Sequence, residues 1–257
     1  MRVLLVGAGK MGSAMLRRWH DLRIADDILV IDTARNLKSP ADLPADFVPE
    51  VIVFAVKPQT LPDILPQYRR FTDAGALVVS IAAGRTTAFF HNHLGENAAV
   101  VRCMPNTPAS IGEGITGVYA PANVSAVQRD IALALLSPVG EVVWVDDEDL
   151  LDAVTALSGS GPAYVFLMIE AMAAAGEHLG LSAETAMKLA RQTVIGAGAL
   201  AQAEPQNSAR ILRESVTSPN GTTAAALSVL MKDGAGLKEL MQKALRAAND
   251  RAKELNS

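Results

Sequence analysis

Three glycines, Gly7, Gly9 and Gly12, stand between a short apolar run and a helix-like segment, and they constrain the fold more than any other feature. The run Val3–Val6 predicts a buried strand, and Met11–Leu22 predicts the helix that follows it. In such a strand–turn–helix, the first glycine makes the tight turn and the second lets a pyrophosphate approach the backbone. The third lets helix and strand pack closely, and the helix N-terminus presents free N–H groups to phosphates. The sequence therefore predicts a dinucleotide site at this turn.

The first part of the chain alternates apolar strands with helical stretches such as Ser125–Leu136. Most of these runs are continuous Val/Ile/Leu rather than alternating, which is typical of strands buried on both faces of a parallel sheet. The alternation predicts a doubly wound α/β domain, with an abbreviated crossover at the proline-rich segment 33–50. The predicted strands are Val3–Val6, Ile28–Ile31, Val51–Val56, Ala76–Ile81, Ala99–Cys103 and Ile115–Tyr119, with Val142–Val145 as a further candidate.

The pattern changes near residue 148. The acidic run Asp146–Asp149 is typical of the first turn of a helix, and no strand pattern follows it. Two of the helices that follow are apolar almost all round, which predicts burial against a partner chain, at least a homodimer. We expect a dinucleotide-binding domain at 1–148 and a helical domain at 149–257. The predicted helices are 150–157, 162–179, 182–203, 205–217, 222–233 and 235–255.

Composition excludes several classes of protein. Half of the 257 residues are hydrophobic and the net charge is −4, so disorder and nucleic-acid binding are both disfavoured. Cys103 is the single cysteine, which fits a reducing compartment and a packed thiol. The longest uncharged stretch, Ala153–Ile169, contains Ser158–Pro162, and the N-terminus lacks a signal-peptide pattern, so we expect no membrane segment and a cytoplasmic location. His91 and His93 have no third ligand nearby, so no metal site is predicted.

Asp32 ends the second predicted strand. An acidic residue there can hold the ribose hydroxyls of the adenosine, which favours NAD. Arg35 could instead meet the 2′-phosphate of NADP. The cofactor preference, NADH or NADPH, stays open at this point.

Small and polar residues follow three more strands, at the edge of the sheet where ligands bind in such folds. These segments are Ala55–Pro58, Ala82–Gly84 and Met104–Pro108, the last with Asn106 between two prolines. In the helical half, Ser158–Tyr164 and Ser218–Thr223 both place a proline at a helix start beside hydroxyl groups. Each of the two could simply cap its helix, or could cradle a substrate carboxylate. With no obvious acid or nucleophile, the chemistry falls to a cofactor.

Together these segments resemble the pyrroline-5-carboxylate reductases over nearly the whole chain. The segments that carry the resemblance are Gly7–Gly12, Ala55–Pro58, Ser80–Gly84, Arg102–Pro108, Ser158–Tyr164 and Val216–Thr223. The last two are far more specific than the glycine pattern.

The resemblance implies a Rossmann-like NAD(P)-binding domain and a helical domain whose helices interlock between subunits. It implies reduction of the cyclic imine 1-pyrroline-5-carboxylate to L-proline, with Thr223 as the hydrogen-bonding partner of the ring nitrogen. Asn220 stands where glycine is commonest in the family. The resemblance implies that Gly7–Gly12, Ala55–Pro58 and Ala82–Gly84 hold the cofactor, and the positions after the strands add Asp32, Arg35, Met104 and Asn106. The predicted cofactor-binding residues are thus Gly7, Ala8, Gly9, Lys10, Met11, Gly12, Asp32, Arg35, Ala55, Val56, Lys57, Pro58, Ala82, Ala83, Gly84, Met104 and Asn106. The implied substrate-binding residues are Glu204, Ser218, Asn220, Gly221, Thr222 and Thr223.

Three other functions are compatible with a fold of this kind. A β-hydroxyacid dehydrogenase needs a catalytic lysine on the helix that opens the second domain, and Tyr164–Glu170 contains none. A reductase of a six-membered imine such as piperideine-2-carboxylate differs by one methylene, worth only about 1–3 kcal/mol in a pocket, and stays open. A non-catalytic nucleotide sensor would not need Asn106, Ser218 and Thr223, which argues against it.

Overall fold

The computed structural model describes residues 1–256 of the chain. Its contacts divide the chain into two compact units. One comprises Met1–Ser160 together with the end of the chain from Ala248, and the other is Gly161–Ala247. By its contacts, the helix Leu150–Val154 belongs to the first unit. Contacts define compact units and not functional domains, so the sequence-based domain boundary at 148/149 remains a prediction.

Within the described residues, the first unit contains a seven-stranded sheet of order β2-β1-β3-β4-β5-β6-β7. The strands are β1 Arg2–Val6, β2 Asp27–Ile31, β3 Val51–Phe54, β4 Leu77–Ser80, β5 Val100–Pro105, β6 Gly114–Tyr119 and β7 Gly140–Trp144. All seven match predicted strands, the tentative last one included.

The predicted parallel, doubly wound sheet is confirmed for strands β1 to β5, and one pair of strands departs from it. Strands β1 to β5 are parallel, but β6 runs antiparallel to β5, and β7 pairs parallel with β6. The connection from β5 to β6 is only the segment 106–113. A parallel pairing needs a crossover of about a dozen residues or more, so this short connection can only turn the chain back.

Helices cover both faces of the sheet. The α-helices of both units, over the described residues, are α1 Lys10–Leu22, α2 Leu61–Ile64, α3 Arg69–Asp73, α4 Thr87–Leu94, α5 Ala126–Leu136, α6 Leu150–Val154, α7 Gly161–His178, α8 Ala183–Ala203, α9 Ala209–Ser215, α10 Thr222–Leu230 and α11 Leu237–Asn256. Helices α1 and α5 pack on one face, where the Trp19 indole N–H donates to the carbonyl of Leu135. Helices α2, α3 and α4 pack on the other face.

The crossover from β2 to β3 is abbreviated, as the prolines predicted. In the segment 32–50 the structure describes a single 3₁₀ turn, Pro40–Asp42, capped by Ser39. Apolar side chains of this extended segment, Phe47 among them, cover the sheet in place of an amphipathic helix. This leaves an open cleft beside the carboxyl ends of β1, β2 and β3.

The apolar stretch after residue 150 is helical throughout. A π-helical turn, Thr155–Gly159, joins α6 to α7, and the Ser158 hydroxyl donates to the carbonyl of Val154. The Ser158 hydroxyl therefore bonds back to the preceding turn and does not cap α7. By length and composition alone, Leu150–His178 could cross a membrane, with a mean hydropathy of 1.2, and only 17% of its most apolar window is buried within the single chain.

The second unit is a helical array built on the α7–α8 hairpin. Gly176 packs so closely against α8 that an added Cβ would lie 3.2 Å from the Cβ of Ala186. Most of the large apolar side chains of this unit are nevertheless exposed, for example Phe166 at 58% and Leu179 at 87%. One copy of the chain thus leaves this unit's apolar surface uncovered.

Candidate active site

The glycine turn after β1 has the geometry of a phosphate cradle. Gly7 has a φ of +97°, and an added Cβ would lie 2.7 Å from the carbonyl oxygen of Ala55. A Cβ on Gly12 would lie 2.2 Å from the carbonyl oxygen of Gly7. Gly9 differs, because its φ is −64° and a Cβ there would meet nothing within 4 Å. The protein itself requires Gly7 and Gly12, whereas at Gly9 the missing side chain leaves open space beside the helix.

The N-terminus of α1 is left without a side-chain cap. Helices α4, α5 and α8 begin with the hydroxyl caps Thr86, Ser125 and Ser182. At Gly9, the N-cap of α1, the structure shows no side-chain hydrogen bond to the first turn. The N–H groups of this turn and the positive end of the helix dipole therefore face outward, as anion binding requires.

A cleft of about 310 Å³ lies beside this turn. It brings together six of the predicted cofactor-binding residues, namely Gly7, Gly9, Asp32, Ala55, Val56 and Lys57. The rest of its lining comes from Val6, Ile31, Thr33, Lys38, Thr60, Ile64 and Tyr68, which sequence reasoning did not single out. Thr60 and Ile64 are four residues apart in the helical stretch after Lys57, a spacing that signals a shared face.

Asp32 braces the glycine turn. Its Oδ2 accepts the N–H of Ala8 at 2.7 Å, and its Oδ1 accepts the N–H of Ala34 at 2.9 Å. These bonds, with a smaller contribution from the Arg35 charge, lower the pKa of Asp32 below its ordinary value of 3.8. Each oxygen keeps a further lone pair, so the proposed ribose contact remains open to it.

In the Asp32→Asn variant, the free energy of unfolding is expected to lose the pH dependence that the ionised Asp32 carboxylate and its two hydrogen bonds create. Because the pKa of Asp32 is lower in the folded state, ionised Asp32 stabilises the fold above its ordinary pKa, and this contribution is lost as the pH falls through the lowered folded value. Urea unfolding of both proteins between pH 6 and pH 3 measures it. The stability advantage of the parent over the variant should shrink as the pH falls, and a constant difference would contradict the assignment.

Arg35 lies away from the cleft. It lines a separate groove together with Leu16, His20 and Ile28, next to the edge strand β2. Lys10 is exposed at the first position of α1, and Met11 packs against the apolar core. Pro58, after the cleft residue Lys57, begins a 3₁₀ turn.

The segments after β4 and β5 are held by contacts within the first unit. Gly84 has a φ of +68°, and an added Cβ would lie 2.8 Å from the carbonyl oxygen of Leu255 in α11. Ala82 donates its N–H to the hydroxyl of Ser80. The following Ala83 is half-buried. These contacts fix the course of the small-residue segment 82–84.

Asn106 ties three segments together. Its Oδ1 accepts the N–H of Ile115 at 3.0 Å, and its Nδ2 donates to the carbonyl of Ser158 at 3.2 Å. The Met104 side chain lies beside Gly159 of the π-helical turn, 3.6 Å from where a Cβ would be. Both polar atoms of Asn106 are thus used to join β5, β6 and this turn, and its predicted contact with the cofactor stays a prediction.

A buried ion pair was missed by sequence reasoning. The Arg102 guanidinium, 6% exposed, donates to Glu148 at 2.8 Å. The Glu148 carboxylate also accepts the backbone N–H of Thr87 at 2.6 Å and its hydroxyl at 2.8 Å. The prediction that Asp146–Asp149 forms the first turn of a helix is therefore wrong, because Glu148 precedes α6 and joins β5 to the N-terminus of α4.

In the second unit, Gly221 is the N-cap of α10, and here too the structure shows no side-chain cap. Asn220 has a φ of +59°, the left-handed conformation that explains why glycine or asparagine fits there. Gly221 donates its N–H to the carbonyl of Ser218, which closes the turn. Thr222 and Thr223 form the first turn of the helix, with Thr223 half-buried. This turn offers a second set of outward N–H groups.

Glu204 ends α8 in the same unit. Its carboxylate accepts the side-chain N–H of Asn207 at 2.7 Å. It is half-buried. Across the described residues, no group of three or more His, Cys, Asp or Glu side chains is placed to hold a metal ion.

Comparison with known families gives two matches. The family model described as pyrroline-5-carboxylate reductase dimerisation matches residues 148–255, and that described as NADP oxidoreductase, coenzyme F420-dependent, matches residues 2–84. The pyrroline-5-carboxylate reductase of Pseudomonas aeruginosa is 41% identical over 99% of this chain and 96% of that protein. The chain belongs to the pyrroline-5-carboxylate reductase family. The Synechocystis relative of the same name is 44% identical over 98% of this chain and 97% of its own length.

Solved structures agree with this family. A pyrroline-5-carboxylate reductase from Coxiella burnetii superposes with a TM-score of 0.86 at 37% identity, covering 99% of this chain and 98% of the other. The Plasmodium falciparum pyrroline carboxylate reductase with NADP bound gives 0.82 at 27% identity, covering 100% and 98%. The first unit is thus a Rossmann-like domain, and the helical half carries the family's dimerisation region.

Proposed function

We propose that this protein is a pyrroline-5-carboxylate reductase that converts 1-pyrroline-5-carboxylate to L-proline. The observation that carries the proposal is the pair of glycine-capped helices, α1 and α10, whose first turns have no side-chain cap in the described structure. Each is suited to one anion, the cofactor pyrophosphate at α1 and the substrate carboxylate at α10. NADH or NADPH, when bound, supplies the hydride that reduces the C=N bond.

The residues of the first unit fit a dinucleotide. The cradle needs Gly7 and Gly12 for its own packing and leaves space at Gly9 for a phosphate. The cleft beside it offers Asp32 for the ribose and an apolar wall of Val6, Ile31, Val56 and Ile64. The proposed cofactor-binding set also includes the uncharged residues Ala82–Gly84, Met104 and Asn106. A reaction that moves a hydride is helped by positioning and exclusion of water.

The residues of the second unit are proposed to hold the substrate. The first turn of α10 binds the carboxylate through backbone N–H groups. Ser218, Asn220 and Gly221 contribute by forming the tight turn that leads into this helix. The Thr223 hydroxyl hydrogen-bonds the ring nitrogen. It does not act as a titrating acid, because a hydroxyl does not ionise near neutral pH. Glu204 is proposed to contact the substrate of the adjoining subunit.

The exposed apolar surface of the helical unit supports a homodimer. Side chains such as Phe166, Leu167 and Leu179 are more than half exposed in one copy of the chain, and they lie in the region that matches the dimerisation family. A second copy would cover this surface and the long apolar helix from Leu150 to His178. We place the protein in the cytoplasm as a soluble enzyme, with functional domains at 1–148 and 149–257.

A turnover assay tests the function. The parent protein is expected to consume NADH or NADPH with pyrroline-5-carboxylate and to form proline, while piperideine-2-carboxylate is a poorer substrate. Thr223→Val is expected to lower kcat/KM by about 10- to 100-fold, the loss of one hydrogen bond to a charged partner, and Thr223→Ser should retain most of it. A folded dimer without turnover on either cofactor would overturn the function. Full activity of Thr223→Val would overturn only the role of Thr223.

A further inference from the structure

The turn after β2 decides which cation lines the adenosine side of the cleft. Asp32 donates its N–H to the carbonyl of Leu37 at 3.0 Å, and Arg35 donates its N–H to the carbonyl of Asp32 at 2.9 Å. These bonds close the turn at its base, so that Lys38 returns to the cleft beside Asp32. Arg35, at the tip of the turn, lines the other groove.

The backbone of Lys38 is firmly held. Its N–H and that of Ser39 both donate to Oδ2 of Asp42 at 2.9 Å, within the capping box of the 3₁₀ turn. The Lys38 ammonium forms no ion pair within 4 Å among residues 1–256, and its side chain is exposed. Because its backbone is fixed and its ammonium group is not engaged in an ion pair, Lys38 can bind a phosphate in the cleft without a rearrangement of the turn.

A second observation points to a ligand in the same cleft. Tyr68 lines it but is only 1% exposed. Its ring packs edge-on against Phe54 with centroids 5.1 Å apart, and across the described chain its hydroxyl has no hydrogen-bond partner. Burial raises the pKa of Tyr68 far above its usual value, so the phenol remains a donor. A buried donor without an acceptor is costly, and a ligand atom in the cleft would satisfy it.

The charges of the cleft favour an added phosphate. Its charged lining residues are Lys38 and Lys57 against the single carboxylate of Asp32. The Asp32 carboxylate is already stabilised by the N–H groups of Ala8 and Ala34. Because its hydrogen bond to Ala8 fixes the glycine turn, Asp32 has a structural role that does not depend on binding the ribose hydroxyls.

We propose that Lys38, and not Arg35, binds the 2′-phosphate of NADPH, that the Tyr68 hydroxyl donates a hydrogen bond to the adenosine, and that the protein therefore prefers NADPH to NADH. This inference rests on the proposed function, since it assumes a nicotinamide dinucleotide in the cleft. It assigns the cofactor preference to Lys38, six positions after Asp32, the predicted ribose contact.

Binding measurements on the full chain, without substrate, test the inference. The fluorescence of bound NADPH and NADH gives each Kd, and displacement by adenosine 2′,5′-bisphosphate and by AMP isolates the adenosine end. The parent should bind NADPH and the bisphosphate at least about tenfold more tightly than NADH and AMP, as expected for one charge-assisted contact. Lys38→Met should remove this difference while leaving NADH and AMP within about twofold.

Arg35→Met is the matched control, a cation removed from the same turn, and should change none of the four affinities. Tyr68→Phe should weaken all four probes by a similar factor of about three to ten, without altering the preference. Equal binding of NADPH and NADH by the parent, or loss of the preference in Arg35→Met rather than Lys38→Met, would overturn the inference. Failure of the proposed function shows separately, as NADPH binding without imine turnover.

Discussion

Gly9→Ala is expected to leave the protein folded and to remove most of its affinity for NAD(P)H. The φ of −64° is one that alanine adopts, and the added Cβ would meet no protein atom within 4 Å. Gly9 is the N-cap of α1, where alanine is less favourable than glycine, so the exchange should cost the apo protein no more than about 1 kcal/mol. The same Cβ would occupy the space where the pyrophosphate approaches the backbone. We expect a loss of about 100-fold or more in cofactor affinity, equivalent to about 3 kcal/mol.

Gly12→Ala is the comparison variant, because Gly12 is needed for packing within the protein whereas Gly9 is expected to be needed only for the approach of the pyrophosphate. A Cβ on Gly12 would lie 2.2 Å from the carbonyl oxygen of Gly7, so that variant should lose both thermal stability and cofactor binding. Melting of the two apo proteins, followed by NADPH and NADH fluorescence titration, gives both quantities. If Gly9→Ala binds cofactor as the parent does, the phosphates do not lie at this turn.

The strands could be predicted from sequence because their signal is local. Most of them are apolar runs rich in Val, Ile and Leu, and the seven predicted segments correspond to the seven strands of the sheet. Strand direction is not local, and the sequence analysis did not anticipate that β6 runs antiparallel to β5. The signal was available in the short spacing between Cys103 and Ile115, which leaves no room for a crossover helix.

The candidate site divides in the same way. The glycine turn, Asp32 and Lys57 could be found because they follow strands directly, and such positions reach the same edge of the sheet. Lys38 and Tyr68 reach the cleft only through a closed turn and a short helix, whose course no periodicity encodes. The role of the Ser158 hydroxyl could not be predicted, because a hydroxyl can either cap a helix or bond back to the preceding turn, and in the π-helical turn it bonds back to Val154.

The ion pair of Arg102 and Glu148 supplies the other large expected effect. Glu148→Ala leaves the Arg102 guanidinium, 6% exposed, without its carboxylate, and takes an acceptor from the first N–H of α4. Removing one partner of a buried pair costs about 3–5 kcal/mol, and since Glu148 is 20% exposed we expect the lower end of that range. Urea unfolding at one fixed protein concentration, because the protein self-associates, measures the change.

The double variant Arg102→Met/Glu148→Leu decides what this ion pair does for the fold. Two apolar side chains of similar length remove both charges together, so most of the stability lost in Glu148→Ala should return, because a buried pair is worth little more than good apolar packing. The exposed pair Arg69–Asp73, with side chains 60% and 62% exposed, is the control, and Asp73→Ala should cost less than about 0.5 kcal/mol. If the double variant is as unstable as Glu148→Ala, the hydrogen bonds from Thr87 to the carboxylate, rather than the unpaired guanidinium, account for the loss. If Glu148→Ala unfolds at the same urea concentration as the parent, the contact contributes nothing to stability, and the link between β5 and α4 must be made by packing alone.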